Sequence, residues 1–117
     1  MSDASEEDGR PTDAWDDDLA SRLPGKLVLV GINYFNADGA LTKHEQVFGK
    51  VEYVDSVRGF RIKLEGNRSG EDYYLPPDIR SFREATPGEY RLRSTGEVVT
   101  DPDFTTEWNI YLQDRSH

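Results

Sequence analysis

The residues able to do acid–base, nucleophilic or metal chemistry are few and scattered along the chain. His44 and His117 are the only histidines, and cysteine is absent. Without thiolates or a Glu-x-x-His pair, the usual ligand sets of a zinc site cannot be assembled. Asp16-Asp17-Asp18 concentrates three carboxylates, but a calcium loop also needs a central glycine and a distal glutamate at fixed spacing, and neither is present. No metal or cofactor is expected. His44 sits in a strand-like stretch, where a solvated histidine explains it without catalysis. There is no Gly-x-Ser-x-Gly elbow and no paired serine and lysine signature. Gly66-Asn67-Arg68-Ser69-Gly70 has the glycines of a phosphate loop, yet it joins two strands rather than a strand and a helix, so it reads as a hairpin loop. The residue set argues against an enzyme.

Binding chemistry is better represented. Arg61 and Lys63 share the outward side of one strand pattern, and Arg91 and Arg93 share that of another. If those strands are neighbours, four cations meet, with Arg58, Arg80 and Arg83 as extensions, and a nucleic-acid contact is the alternative reading. Glu65 and Glu89 lie on the same sides, and no aromatic is interleaved to stack on bases. Cross-strand ion pairing accounts for the same pattern. A protein contact draws on different residues. Trp15, Leu19 and Leu23 recur every fourth position on one helical face, and Tyr74 and Tyr111 point outward from strands as candidate contact aromatics.

The elements that would position these groups follow from periodicity. Residues 1–12 carry acids and almost no apolar side chains, and they read as a disordered acidic tail. A short amphipathic helix or arm is predicted within 13–24, capped by Thr12 or Asp13 and stopped by Pro24-Gly25. From residue 25 to 117 the pattern is β. Leu27 to Phe35 is apolar on both faces, and a long strand at 42–54 contains Gly49, which suggests a bulge. Phe60, Ile62 and Leu64 alternate with Arg61, Lys63 and Glu65. Tyr73 and Leu75 face inward, and Ile79 and Phe82 tuck beneath the sheet through a short turn. Tyr90 and Leu92 complete the inward set, and Trp108, Ile110 and Leu112 share one side of the last strand. The second face of the first strand needs a cover. The Trp15 helix is the cover expected, with another strand or a partner as alternatives.

Composition bounds the rest. The 117 residues suit one domain with a modest core; apolar residues are 35% and charged residues 32%. The net charge is −9, and residues 1–24 hold eight acids against two bases, so most of the excess lies at the N-terminal end. Such a chain repels phosphates at long range and is attracted to basic partners. Neither a signal peptide nor a run of about 20 apolar residues is present, so a cytoplasmic chain without membrane contact is expected.

Val47-Phe48-Gly49-Lys50-Val51, the hairpin to Gly59-Phe60-Arg61-Ile62-Lys63-Leu64 and the strand ending Tyr74-Leu75-Pro76-Pro77-Asp78 resemble an SH3-like small barrel. The ending Gly88-Glu89-Tyr90-Arg91-Leu92-Arg93-Ser94-Thr95-Gly96-Glu97-Val98-Val99, followed by Pro102-Asp103-Phe104, is similar to an uncharacterised bacterial group. The resemblance spans most of residues 24–112. It implies an all-β fold, a small antiparallel SH3-like barrel of five or six strands, and transfers no catalytic or ligand residue. The expected function is non-enzymatic: a binding or adaptor domain that recognises a protein partner through a barrel face or edge, with a basic partner as one candidate. An acidic immunity-type or mimic protein that blocks a basic surface is a further alternative. A monomer or weak homodimer is expected.

Overall fold

The computed structural model describes residues 15–112; the predicted acidic tail, the first residues of the arm and His117 lie outside them. The helix α1 is Asp17–Arg22, capped by Asp16, whose side chain accepts from the Leu19 backbone N–H at 3.0 Å. The turn begins where Asp16 is extended and its carboxylate can reach forward; Thr12 and Asp13, the caps expected from the sequence, lie outside the described residues. Eight strands follow: β1 (Leu27–Phe35), β2 (Leu41–Asp55), β3 (Gly59–Leu64), β4 (Asp72–Leu75), β5 (Phe82–Glu84), β6 (Glu89–Arg91), β7 (Val98–Thr100) and β8 (Phe104–Tyr111).

The chain is mostly β, but its topology differs from the expected antiparallel barrel. Six strands form one sheet in the order β4-β3-β2-β1-β8-β5, and β6 and β7 pair separately. β1 to β4 make an antiparallel meander, whereas β8 runs parallel to β1 from Val28↔Phe104 to Phe35↔Tyr111. An antiparallel barrel would have continued the antiparallel pairing after β4. Instead the chain crosses beneath the sheet through the 3₁₀ turn Ile79–Ser81, adds β5 at the far edge, and returns β8 between β5 and β1. Asp103 fixes that return: its carboxylate accepts from Leu27 N–H at 2.9 Å, and its own N–H donates to Leu27 C=O at 2.8 Å.

The sheet curls without closing. The edge strands β4 and β5 are not paired to each other. In a flat sheet β3 and β5, four positions apart, would be separated by about 19 Å. Yet Phe60 of β3 and Phe82 of β5 pack at 4.7 Å between ring centroids. Side chains close the seam where hydrogen bonds do not. The concave side holds the main core of Leu23, Val28, Val30, Ile32, Val47, Val51, Phe60, Ile62, Leu64, Leu75, Ile79, Phe82 and Phe104, and Trp15 and Leu19 pack onto its margin. The Trp15 ring stacks on Phe60 at 5.9 Å.

The two faces of β1 are covered by different elements than expected. Helix α1 belongs to the main core, on the side of Val28, Val30 and Ile32. The opposite face, Leu27 and Leu29 with Phe48 beside them, is covered by the β6–β7 hairpin through Leu92, Val99 and Tyr90. A six-residue helix cannot span both faces, so a second strand pair takes the remaining one. Gly49 also has a different reason from the one expected. The strand irregularity lies between Val51 and Tyr53, while a Cβ at Gly49 would run into the backbone of Lys63 and Leu64. It is a site of close approach rather than a bulge.

Leu23 is fully buried in the main core. Leu23→Ala should therefore lower unfolding stability by about 2–5 kcal/mol, measured by urea denaturation. An unchanged midpoint would show that the arm does not contribute to the core.

Candidate functional site

Among the described residues, the outer face of the sheet is only half covered. Toward the ends of β1 and β8, beyond the hairpin, three cross-strand rows follow one another, each set by the register of β2, β1 and β8. Nearest the hairpin lie Gln46, Gly31 and Glu107. Next come His44, Asn33 and Asn109. Outermost are Leu41, Phe35 and Tyr111, where a register shift after Tyr34 brings Leu41 opposite Phe35.

The middle row is a continuous hydrogen-bonded chain. His44 Nδ1 lies 2.7 Å from Asn33 Oδ1, and Asn33 Nδ2 donates to Asn109 Oδ1 at 3.0 Å. Because Asn33 uses its amide nitrogen toward Asn109, its oxygen is the acceptor for His44, and the imidazole carries its proton on Nδ1. That leaves His44 Nε2 as an acceptor and Asn109 Nδ2 as a donor at the two ends of the row. In the first row, Gly31 makes room: a Cβ there would sit 3.2 Å from Glu107 Oε2, so the Glu107 carboxylate leans over the glycine. Gln46 Oε1 accepts the Arg93 backbone N–H at 2.6 Å and ties the hairpin loop to the floor. In the outer row, Phe35 and Tyr111 stack at 5.0 Å.

Together Asn33, Leu41, His44, Arg93 and Ser94 line an open depression of about 510 Å³. Leu41 is 57% exposed and Tyr111 65% on this outer face, whereas Ile110 lies on the other side of β8 with Tyr34 and Trp108. Such a combination of apolar anchors and a few convergent polar groups suits recognition. It does not assemble a nucleophile: Ser94 lines the depression but makes no hydrogen bond to His44 among the described residues. Nor do three His, Asp or Glu side chains gather as a metal would require, among the described residues.

The sequence-predicted contacts are distributed differently. Trp15, Leu19 and Leu23 lie together on the chain's own core. Tyr111 lies in the outer row, stacked on Phe35. Tyr74 is 62% exposed on β4, at the other end of the sheet, opposite Arg61. The four candidate cations do not meet through neighbouring strands, because β3 pairs with β2 and β4 while β6 pairs with β7. Arg61 Nε contacts Glu52 Oε1 at 2.7 Å, and Lys63 Nζ contacts Asp72 Oδ1 at 2.9 Å. Arg91 turns back to the Gly96 carbonyl at 3.3 Å. Of the proposed extensions, Arg80 pairs with Asp78 at 3.2 Å. The Asn33–His44–Asn109 row and Leu41 were missed by sequence reasoning. Their only signal was the loss of apolar character on one side of β1 after Leu29, which becomes informative once β8 is known to lie alongside.

The reverse side of the same strands is held by a partly buried network. Tyr34 donates to Glu45 Oε1 at 3.2 Å, and Arg68 contacts both Glu45 at 3.1 Å and Glu71 at 2.9 Å. Burial, and then the nearby Tyr34 and Glu45, push the Tyr73 phenol well above its ordinary value of 10.0. Tyr34 is pushed up as well, by burial and by Glu45.

Comparison with protein-family models, curated proteins and solved structures finds no match. No helix among the described residues is long and apolar enough to cross a membrane.

A raised phenol pKa means that the folded state holds its proton more tightly than the unfolded chain does. The associated stability is complete below about pH 10 and is lost as pH rises toward the folded value. Thermal melts from about pH 9 to about pH 11.5 should show a declining midpoint that flattens in Tyr73→Phe. An equal decline in both proteins would remove Tyr73 from the account.

Proposed function

We propose that this is a non-enzymatic binding domain that recognises a protein partner through the uncovered outer face formed by β1, β2 and β8. The observation that carries the reading is an exposed apolar step (Leu41, Phe35, Tyr111) beside a pre-formed polar row (His44, Asn33, Asn109) in register across β2, β1 and β8, with Leu41, His44 and Asn33 lining one depression. An apolar side chain of the partner fills the step, and hydrogen-bonding groups meet His44 Nε2 and the Asn109 amide. The hydrogen bonds within the row fix these groups before binding, which reduces the ordering cost of association. The chain's net charge of −9 favours a basic partner and raises its encounter rate. An immunity-type blocker of a basic surface would be one instance of such recognition.

The SH3-like likeness belongs to the same proposal: the β2-β3-β4 meander is the segment that carries it, within a sheet that curls without closing. The nucleic-acid reading receives less support, since Arg61 and Lys63 already hold carboxylates and would have to exchange them for phosphates. A cytoplasmic setting fits the absence of cysteine.

Affinity capture from the native cell extract, with nuclease present, tests the reading. The full chain should retain a stoichiometric protein that Leu41→Ser and Tyr111→Ala each lose, while circular dichroism of both variants stays native. Leu41→Ser is an exposed change expected to alter stability by less than about 0.5 kcal/mol, and Tyr111→Ala, which loses the stack on Phe35, by about 0.5–1.5 kcal/mol. A partner retained by both variants would place recognition elsewhere, and capture abolished by nuclease would favour the nucleic-acid reading.

A further inference from the structure

Among the described residues, the outer edge of β8 is bare over its second half. β5 covers β8 only at Phe104, Thr105 and Thr106, whereas β8 continues alongside β1 to Tyr111. The Leu112 N–H donates to Phe35 C=O and so points toward β1. Backbone groups alternate along a strand, so the N–H and C=O of Asn109 and Tyr111 point away from β1, into the open. The other edges of the sheet are blunted. β4 is four residues long and runs into Pro76-Pro77, and β5 is three residues long with Arg83 and Glu84 exposed. Short strands, proline and charge are the usual protections of an edge. The segment Glu107–Tyr111 carries one charge and no proline.

We infer that this edge pairs with the same edge of a second copy, antiparallel about a two-fold axis at Asn109. The sequence of the segment is self-complementary in that register. Asn109 faces Asn109 of the second copy, and the two exchange both backbone hydrogen bonds. Trp108 falls opposite Ile110, which is 40% exposed, and the apolar side chains meet on one face. Glu107 falls opposite Tyr111, so no like charges face each other across the ladder. Asn109 Oδ1 already accepts from Asn33, which turns its amide nitrogen toward the open edge. There each Asn109 Nδ2 can donate to the second lone pair of its counterpart's Oδ1. The two polar rows then join into one, running His44–Asn33–Asn109 and back through the second copy. A register offset by one residue would turn these side chains to opposite faces and break the pair.

Asn109 and Tyr111 serve both this edge and the partner site of the proposed function, but Leu41 takes no part in the edge, so Leu41→Ser should abolish partner capture and leave the dimer intact, which separates the two. Each chain carries −9, so added salt should strengthen the dimer by screening the repulsion between copies. The test is sedimentation velocity of the full chain from about 10 µM to about 1 mM, with amide hydrogen exchange at both ends of that range. The expected result is a reversible monomer–dimer equilibrium in which the Asn109 and Tyr111 amides slow as concentration rises. Asn109→Pro removes an N–H that no strand among the described residues uses, and should leave a folded monomer. A monomer with fast exchange at these amides throughout would overturn the inference. So would a monomer in which they are protected at every concentration, which would mean that the chain covers its own edge. A dimer that survives Asn109→Pro would overturn it as well. Should that variant fail to fold, the concentration dependence of the two amides in the unmodified chain decides the matter alone.

Discussion

The fold depends on a contact that closes a sheet without hydrogen bonds. Phe60 and Phe82 come from strands four positions apart and still touch, with Trp15 stacked on the first of them. Each buried aromatic of this kind removes on the order of 200 Å² from water, and aromatic contacts add about 0.5–1.5 kcal/mol beyond that area. Pulling the margins together in this way turns a six-stranded ribbon into a cup with an interior. It also explains why the N-terminal arm is needed: the two edge strands do not pair, so the opening between them must be filled by side chains, and Leu23 and Trp15 supply them. The short helix is stable only as part of that filling, since six residues are far below what an isolated helix requires.

Once the concave side is filled, the outer side of the same strands becomes the place where surface chemistry is decided. β1 is apolar on both sides at its start, and the β6–β7 hairpin covers the second side there through Leu92 and Val99. After Leu29 the outward positions become Gly31, Asn33 and Phe35. The change from aliphatic to amide marks where the cover stops, and Arg93 N–H bonded to Gln46 marks its margin. Uncovered floor residues must then satisfy themselves. His44, Asn33 and Asn109 do so by bonding along the row, which fixes their side chains at positions where flexible polar groups would otherwise be solvated in many conformations.

Much of this was legible in the sequence, and the limits have identifiable causes. The alternation of Phe60, Ile62 and Leu64 gave both the strand and its inward face, and Ile79 and Phe82 were placed in the core from a single turn of pattern. The parallel pairing of β8 with β1 was not legible. A strand's period reports which side is buried and says nothing of which strand lies next to it. That one unknown accounts for most of the rest. Without it, Asn33 and Asn109, 76 residues apart, have no reason to be considered together, and Arg61 and Arg91 have no reason to be kept apart. The three acidic residues before Leu19 signalled a helix start correctly in kind, while the choice of capping residue depended on backbone geometry that composition does not encode.

Charge distribution follows the same division. Three of the six bases on the meander are paired with carboxylates: Arg61 with Glu52, Lys63 with Asp72, and Arg68 with Glu45 and Glu71. Exposed pairs of this sort contribute little stability, about 0–1 kcal/mol each. Their consequence is local neutrality. A sheet surface neutralised by paired charges presents no strong field of its own, so the chain's excess of negative charge acts at long range while short-range selectivity is left to shape and hydrogen bonding. The uncovered face supplies both shape and hydrogen bonding, through an aromatic step, a fixed amide–imidazole row and one carboxylate, Glu107, leaning over Gly31. The curl of the sheet is what sets these apart, because the strands whose inner sides close the cup are the ones whose outer sides hold the row in register.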